Sequence, residues 1–310
     1  MSVNTLKPDH RASGAPPLAA QRDRSTLLIY AGAMGVCFLL TYLPTYLRLA
    51  DTAWRSEQEG HGPLIMLASV WLAWQQREKV AAATLRPAPV AGWAVLLAGL
   101  FVLVVMRSQY LVTVEAFTQI PVLLGCVLLL GGWPLARIFA FPIAFLFFSV
   151  PPPTWLMDSF TVPLKAWISD VVTNFLYDLG YPIAQNGVMI MIGPYQLLVK
   201  DACSGMNSIF ALSAIGIFYV YEFVRNNWFR GAVLILSIIP ITILANFFRV
   251  LTLVLASYYF GVDAIEGLFH DLTGIALFVF ALILFFVLDG VLIGLGMLFW
   301  KLRPARGAAA

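Results

Sequence analysis

The feature that most constrains this chain is a near-continuous series of apolar stretches, each about as long as a bilayer core is thick. They run over residues 27–47, 62–74, 90–106, 116–130, 138–150, 206–223, 232–261 and 272–295. A helical crossing needs about 20 mainly apolar residues, and no long polar block separates the stretches. Apolar residues make up 61% of the chain and charged residues 11%, against roughly 25% charged in a soluble domain. The chain as a whole therefore cannot face water, and the reading is an all-α, polytopic integral membrane protein of about eight transmembrane helices. The second stretch is short for a crossing, whereas three consecutive prolines at 151–153 stop the fifth firmly.

Residues 1–24 are polar and read as a disordered cytoplasmic tail. The apolar run that follows shows no small-residue cleavage site, so it is expected to be a retained first helix. Residues 25–300 form one membrane domain, and residues 301–310 a second cytoplasmic tail. The only sizeable segment outside the membrane is 151–201. Within it, residues 158–179 carry apolar positions at helical spacing among Lys165, Asp170 and Asp178, as an amphipathic surface helix does. Residues 188–192 and 195–199 flank Gly193-Pro194 and suggest a short β-hairpin.

With the N-terminus in the cytoplasm, alternation across eight spans places most Lys and Arg inside, as the positive-inside bias requires. Both termini are then cytoplasmic. The same alternation puts segment 151–201 and the turn at 263–270 on the outer face. Arg249 lies roughly 27 Å along the seventh span if that span starts at Ala232, so it also comes out at the outer leaflet. Nothing in the sequence points to nucleic acid.

Of three cysteines, Cys37 and Cys126 sit inside apolar runs and read as packing residues. Cys203 differs. It stands in Asp-Ala-Cys-Ser-Gly, at the border between a polar loop and a span. A thiolate there is favoured by a nearby cation and by a helix start, and backbone N–H groups at Ser204-Gly205 can face a developing oxyanion. His270 suits proton transfer, since its ordinary pKa of about 6.5 lies near working pH. Arg249 stays charged, so its roles are to hold a carboxylate or carbonyl or to stabilise an oxyanion. Each residue also has a plain reading: a structural thiol, an interfacial hydrogen-bonding histidine and a snorkelling arginine. On spacing alone, an enzyme and a transporter remain open, because an ionisable residue at membrane depth marks a functional site in either.

Asp201–Ser208, reading Asp-Ala-Cys-Ser-Gly-Met-Asn-Ser, is followed by Ala245-Asn246-Phe247-Phe248-Arg249-Val250 and then by His270 and Gly274. These ordered motifs resemble the exosortase and archaeosortase family, and the similarity runs from His61-Gly62 through Leu179-Gly180-Tyr181-Pro182 to the last helix. The resemblance implies a membrane-embedded cysteine transpeptidase with Cys203, Arg249 and His270 as its catalytic set. Its substrates would be exported proteins with a C-terminal Pro-Glu-Pro-like motif, a hydrophobic helix and a basic tail. It would act through a thioester, without cofactor or metal, in the bacterial inner membrane, with the site on the periplasmic side.

Asn207 stands where many members carry Arg, and Asp201 where many carry Glu. Asn207, Asn246 and His61 are candidate substrate-binding residues, and Pro151–Pro153 with Trp155 candidate borders of a substrate groove. The rival classes are a multi-pass transporter or lipid-handling protein with an anionic head group on Arg249, and a non-catalytic export assembly factor.

Overall fold

The computed structural model describes residues 18–55, 60–187, 189–198, 208–224, 227–261 and 268–302. Helices dominate, as the apolar runs require: inside a bilayer a backbone must satisfy its own hydrogen bonds. α1 is Leu18–Asp51, starting inside the segment expected to be tail. α2 is Gly62–Gln75, α3 Arg77–Ala82, α4 Pro89–Ser108, α5 Val112–Phe117 and α6 Gln119–Phe145, the last followed by a 3-10 turn at Leu146–Ser149. α7 is Thr154–Asp178, α8 Ser208–Phe223, α9 Trp228–Phe260 and α10 Leu268–Leu302. Five stretches among the described residues are long and apolar enough to cross a membrane: Leu28–Asp51, Pro89–Ser108, Val112–Ser149, Trp228–Phe260 and Gly274–Met297.

One of these doubles back. Gln119 Nε2 donates to Ser149 Oγ at 3.3 Å, yet a straight helix would hold the two residues roughly 45 Å apart. The fold-back occurs at Gly132, whose φ of 67° and ψ of −156° leave the helical region. A Cβ there would run into the Arg86 carbonyl oxygen. The adjoining Gly131 carbonyl accepts from the Arg86 N–H and the Leu128 carbonyl from that of Ala88. Two apolar arms thus come from one element, in keeping with the separate spans expected over 116–130 and 138–150.

Small residues let α4 and α6 meet closely. A Cβ at Gly125 would lie 2.7 Å from the Leu96 backbone nitrogen, and one at Gly99 would lie 2.9 Å from the Val122 side chain. Lipid tails are as apolar as leucine, so such close packing is a main source of helix association in a bilayer.

Two ends of the bundle can be told apart by their polar contacts. At one end, Nε2 of Gln76, the residue that caps α2, meets the Tyr221 hydroxyl of α8 at 3.5 Å. Near it in the chain, Arg230 of α9 is held bidentately by Asp289 of α10, both bonds at 2.6 Å. The Tyr219 hydroxyl donates to the same carboxylate at 2.7 Å. Arg77, Lys79 and Arg86 lie in the connections around this end. At the other end, Glu115 is fully buried and accepts from Thr45 at 2.6 Å, Arg107 at 2.8 Å and Arg48 at 3.3 Å.

Beyond this second end sits a cap. The 33 residues of α9 extend for roughly 50 Å, well past a hydrocarbon core of about 30 Å. The excess is sheathed by α7 and a three-stranded antiparallel sheet in the order β1-β2-β3. β1 is Ile183–Asn186, β2 Met189–Ile192 and β3 Tyr195–Leu198. β2 and β3 form the expected hairpin across Gly193-Pro194, with Ile192 opposite Tyr195 and Gly193 at a φ of 55°. β1 was not foreseen. Ile190 and Ile192 alternate inward and are fully buried with Ile168, Val172 and Leu176 of α7 against Val250 and Val254 of α9. The expected amphipathic helix is α7, and its buried stripe faces α9 and the sheet.

Candidate active site

α9 carries Arg249 roughly 31 Å beyond Trp228, at the seam between two cores. On one side, Ile241 and Ala245 pack with Leu277, Ala281 and Phe285 of α10. On the other, Val250 and Val254 pack into the cap. Arg249 is 4% exposed and Asn246, one turn before it, is 0% exposed. A guanidinium is therefore held where the helix leaves the bundle and enters the cap. A charge this sheltered interacts more strongly with a neighbouring charge than it would in water.

The partner helix is shaped to receive it. A Cβ at Gly274 would lie 3.9 Å from Arg249 Nη2, so the guanidinium comes up against bare backbone of α10. Position 270 precedes Gly274 by one turn, on the face that continues through Leu277, Ala281 and Phe285, which are 7%, 3% and 0% exposed. The fold thus brings the α10 backbone at His270 and the Arg249 side chain to adjacent helical turns. Beside Arg249, a cavity of about 320 Å³ is lined by Phe248, Thr252, Ala276, Leu277 and Phe280. Phe248 is 42% exposed at its rim, so the guanidinium borders a space reached from the side.

His61 lies elsewhere. It is half-buried just before α2 and lines a second cavity, of about 270 Å³, on the other flank of α10 with Phe278 and Ala211. Its seat is set by Gly62, where a Cβ would collide with the Trp54 ring. Trp54 Nε1 in turn donates to the Ser149 carbonyl at 3.1 Å. Structure therefore groups Arg249, Asn246 and position 270, and keeps His61 out of the Arg249 cavity. Cys203 and Asn207 lie outside the described residues, in the connection between β3 and α8. Pro152 is buried while Trp155 is 70% exposed.

Two charged clusters escaped the sequence reading. Asp289 is the lone charge within the apolar part of α10 and is 3% exposed; a single carboxylate in such a run is the signal that identifies it. Glu115 stands at the head of the fourth apolar stretch and reads as an interfacial charge until its two arginine partners are seen. Among the described residues, no group of three His, Cys, Asp or Glu is placed to hold a metal ion.

A bundle with several helices long and apolar enough to cross a membrane, capped by α7 and a small sheet, defines the class as a polytopic membrane protein, with a buried arginine at the seam between bundle and cap. A family model described as transmembrane exosortase matches residues 53–287. The chain belongs to that family, and the match covers the bundle from the turn before α2 to the middle of α10, including Cys203, Arg249 and His270. No curated protein and no solved structure matches it significantly.

Proposed function

We propose that this chain is a cysteine transpeptidase that cleaves the C-terminal sorting signal of exported proteins, with Cys203 as nucleophile. Family membership supports a sorting role on exported proteins in general. The observation that carries the finer reading is Arg249, buried at the seam and facing Gly274 one turn from position 270. A permanent cation sheltered in this way has value where negative charge develops during acyl transfer.

The Cys203 thiolate adds to the scissile carbonyl carbon, and the electron pair moves onto the carbonyl oxygen. Arg249 stabilises that oxyanion or holds an adjoining carboxylate. As the tetrahedral intermediate collapses, the C–N bond breaks and His270 delivers a proton to the leaving amine. A thioester to Cys203 remains. An acceptor nucleophile then gives up a proton to His270, attacks the thioester and releases the thiolate. Asn246, fully buried beside Arg249, fits a role in orienting the site more than in touching substrate. Asn207 is a candidate donor to the substrate backbone.

The site belongs on the periplasmic face of a bacterial inner membrane, with both termini in the cytoplasm, because that orientation leaves most of the chain's Lys and Arg on the cytoplasmic side, Arg77, Lys79, Arg86 and Arg230 among them. The test is Cys203→Ala in cells that export a reporter ending in a Pro-Glu-Pro motif, an apolar helix and a basic tail. Processing should cease, while Cys37→Ala and Cys126→Ala retain it. Equal loss in all three variants, at equal protein levels, would remove the case for Cys203.

A further inference from the structure

The geometry points to the cavity between α2, α8 and α10 as the subsite for one large apolar side chain of the exported substrate, from the part of it that lies in the membrane. The inference rests on the transpeptidase reading above and assigns a specificity pocket to it.

Three features single out this cavity. Its walls come from helices that adjoin the proposed site: Ala211 and Ala214 stand in the first turns of α8, the helix that follows the Cys203 connection, and Phe278 lies one turn beyond Gly274 on α10. It is graded in polarity, with His61 at the α2 start and Leu64 and Ala68 following down the helix. That descent covers roughly 10 Å at the helical rise, too little for a substrate helix and enough for one side chain. It is also open from the bilayer, because Leu64 on its rim is 67% exposed. A substrate anchored in the membrane enters sideways without leaving the lipid.

Its volume of about 270 Å³ falls just under the roughly 300–1,000 Å³ of whole-ligand pockets. A side chain gains little by moving from lipid to another apolar place, so what the cavity offers is a defined shape against which one residue packs. The larger cavity of about 610 Å³ between α1, α4 and α6 has comparable apolar walls, with Trp93 among them, but none of its lining residues belongs to α8, α9 or α10. It serves as the control.

The test uses full-length Cys203→Ala protein in membranes, with the reporter described above present uncleaved. A photo-reactive benzoylphenylalanine replaces Phe278 in one sample and Trp93 in another. Cross-links to the reporter from position 278 and none from position 93 are expected. Cross-links from 278 to lipid alone, to nothing, or equally from both positions would overturn the proposal.

A second measurement uses the unaltered enzyme and a reporter series in which each large apolar residue beside the motif is replaced by Ala in turn. One position should raise the apparent KM about tenfold with kcat held. Ala214→Leu should erase that preference and leave the truncated reporter as good a substrate as the original, an effect that simple loss of fold does not produce. If the unaltered protein leaves the reporter uncut, the transpeptidase reading itself fails. If it cuts every member of the series alike, only the pocket assignment does.

Discussion

Arg249 on α9 faces Gly274 on α10, with Nη2 3.9 Å from the place a Cβ would take. The relationship ties the permanent cation to the helix that carries His270, and it needs no side chain at 274 to do so. A methyl there would meet the guanidinium at ordinary van der Waals distance, so only a side chain longer than alanine would compete with it for that space.

The proposed mechanism gives the two residues different jobs. Arg249→Lys keeps the charge but loses the planar fork, so kcat should fall roughly 10²–10³-fold, as when one oxyanion donor is removed. His270→Ala should leave substrate capture intact and stop acylation or turnover. Cross-linking and acyl-enzyme formation, followed separately, check both. A fully active Arg249→Lys enzyme, or a His270→Ala enzyme that acylates and turns over normally, would show the roles wrongly assigned.

At the opposite end, Asp289 joins three helices by accepting from Arg230 and Tyr219. Asp289→Ala leaves the arginine without its carboxylate, and breaking a buried pair in this way costs about 3 kcal/mol. The 20% exposure of the Arg230 side chain places the effect at that lower end of the range. The thermal midpoint in detergent should drop, and Arg230→Ala in the same chain should restore part of it. A double variant as unstable as the sum of the two singles would argue against the pair as the source.

Gly132 is the hinge of the fold-back in α6. An Ala there takes on a backbone strain of about 1–3 kcal/mol, because a φ of 67° with a ψ of −156° lies in a region essentially reserved for glycine, and it must also displace the Arg86 carbonyl. The Gly132→Ala protein should keep its helical circular dichroism yet melt earlier. Gly125→Ala, which brings a methyl against the Leu96 backbone, should loosen the α4–α6 contact by a similar amount. Unchanged melting in both would mean that these close approaches contribute little.

The topology is open to direct labelling. Single cysteines at positions 10 and 305 of a cysteine-free chain should both be shielded from an impermeant thiol reagent in intact cells, and one at position 165, in α7, should react. Labelling of 10 and 305 from opposite sides would refute the shared face of Cys203, Arg249 and His270.

Hydropathy alone determined that this is a helical membrane protein, because runs of that length and composition have no other solvent. Local rules determined the stop at Pro151–Pro153, the Gly193-Pro194 hairpin and the amphipathic α7, each set by a few neighbouring residues. The ordered motifs around Cys203, Arg249 and His270 pointed to the exosortase family without any contact being known.

Distance along the chain hid the rest. That Val112–Ser149 folds back rests on the Gln119–Ser149 bond, and that Asp289 clamps α9 rests on Arg230. Periodicity could bring Arg249 to the membrane face, but only packing placed it between the Leu277 core and the Val250 core and against Gly274. Only packing put His61 on the other flank of α10. Depth in the membrane follows from counting residues at a fixed rise, whereas lateral neighbours depend on which faces of which helices fit together, a property of the assembled bundle.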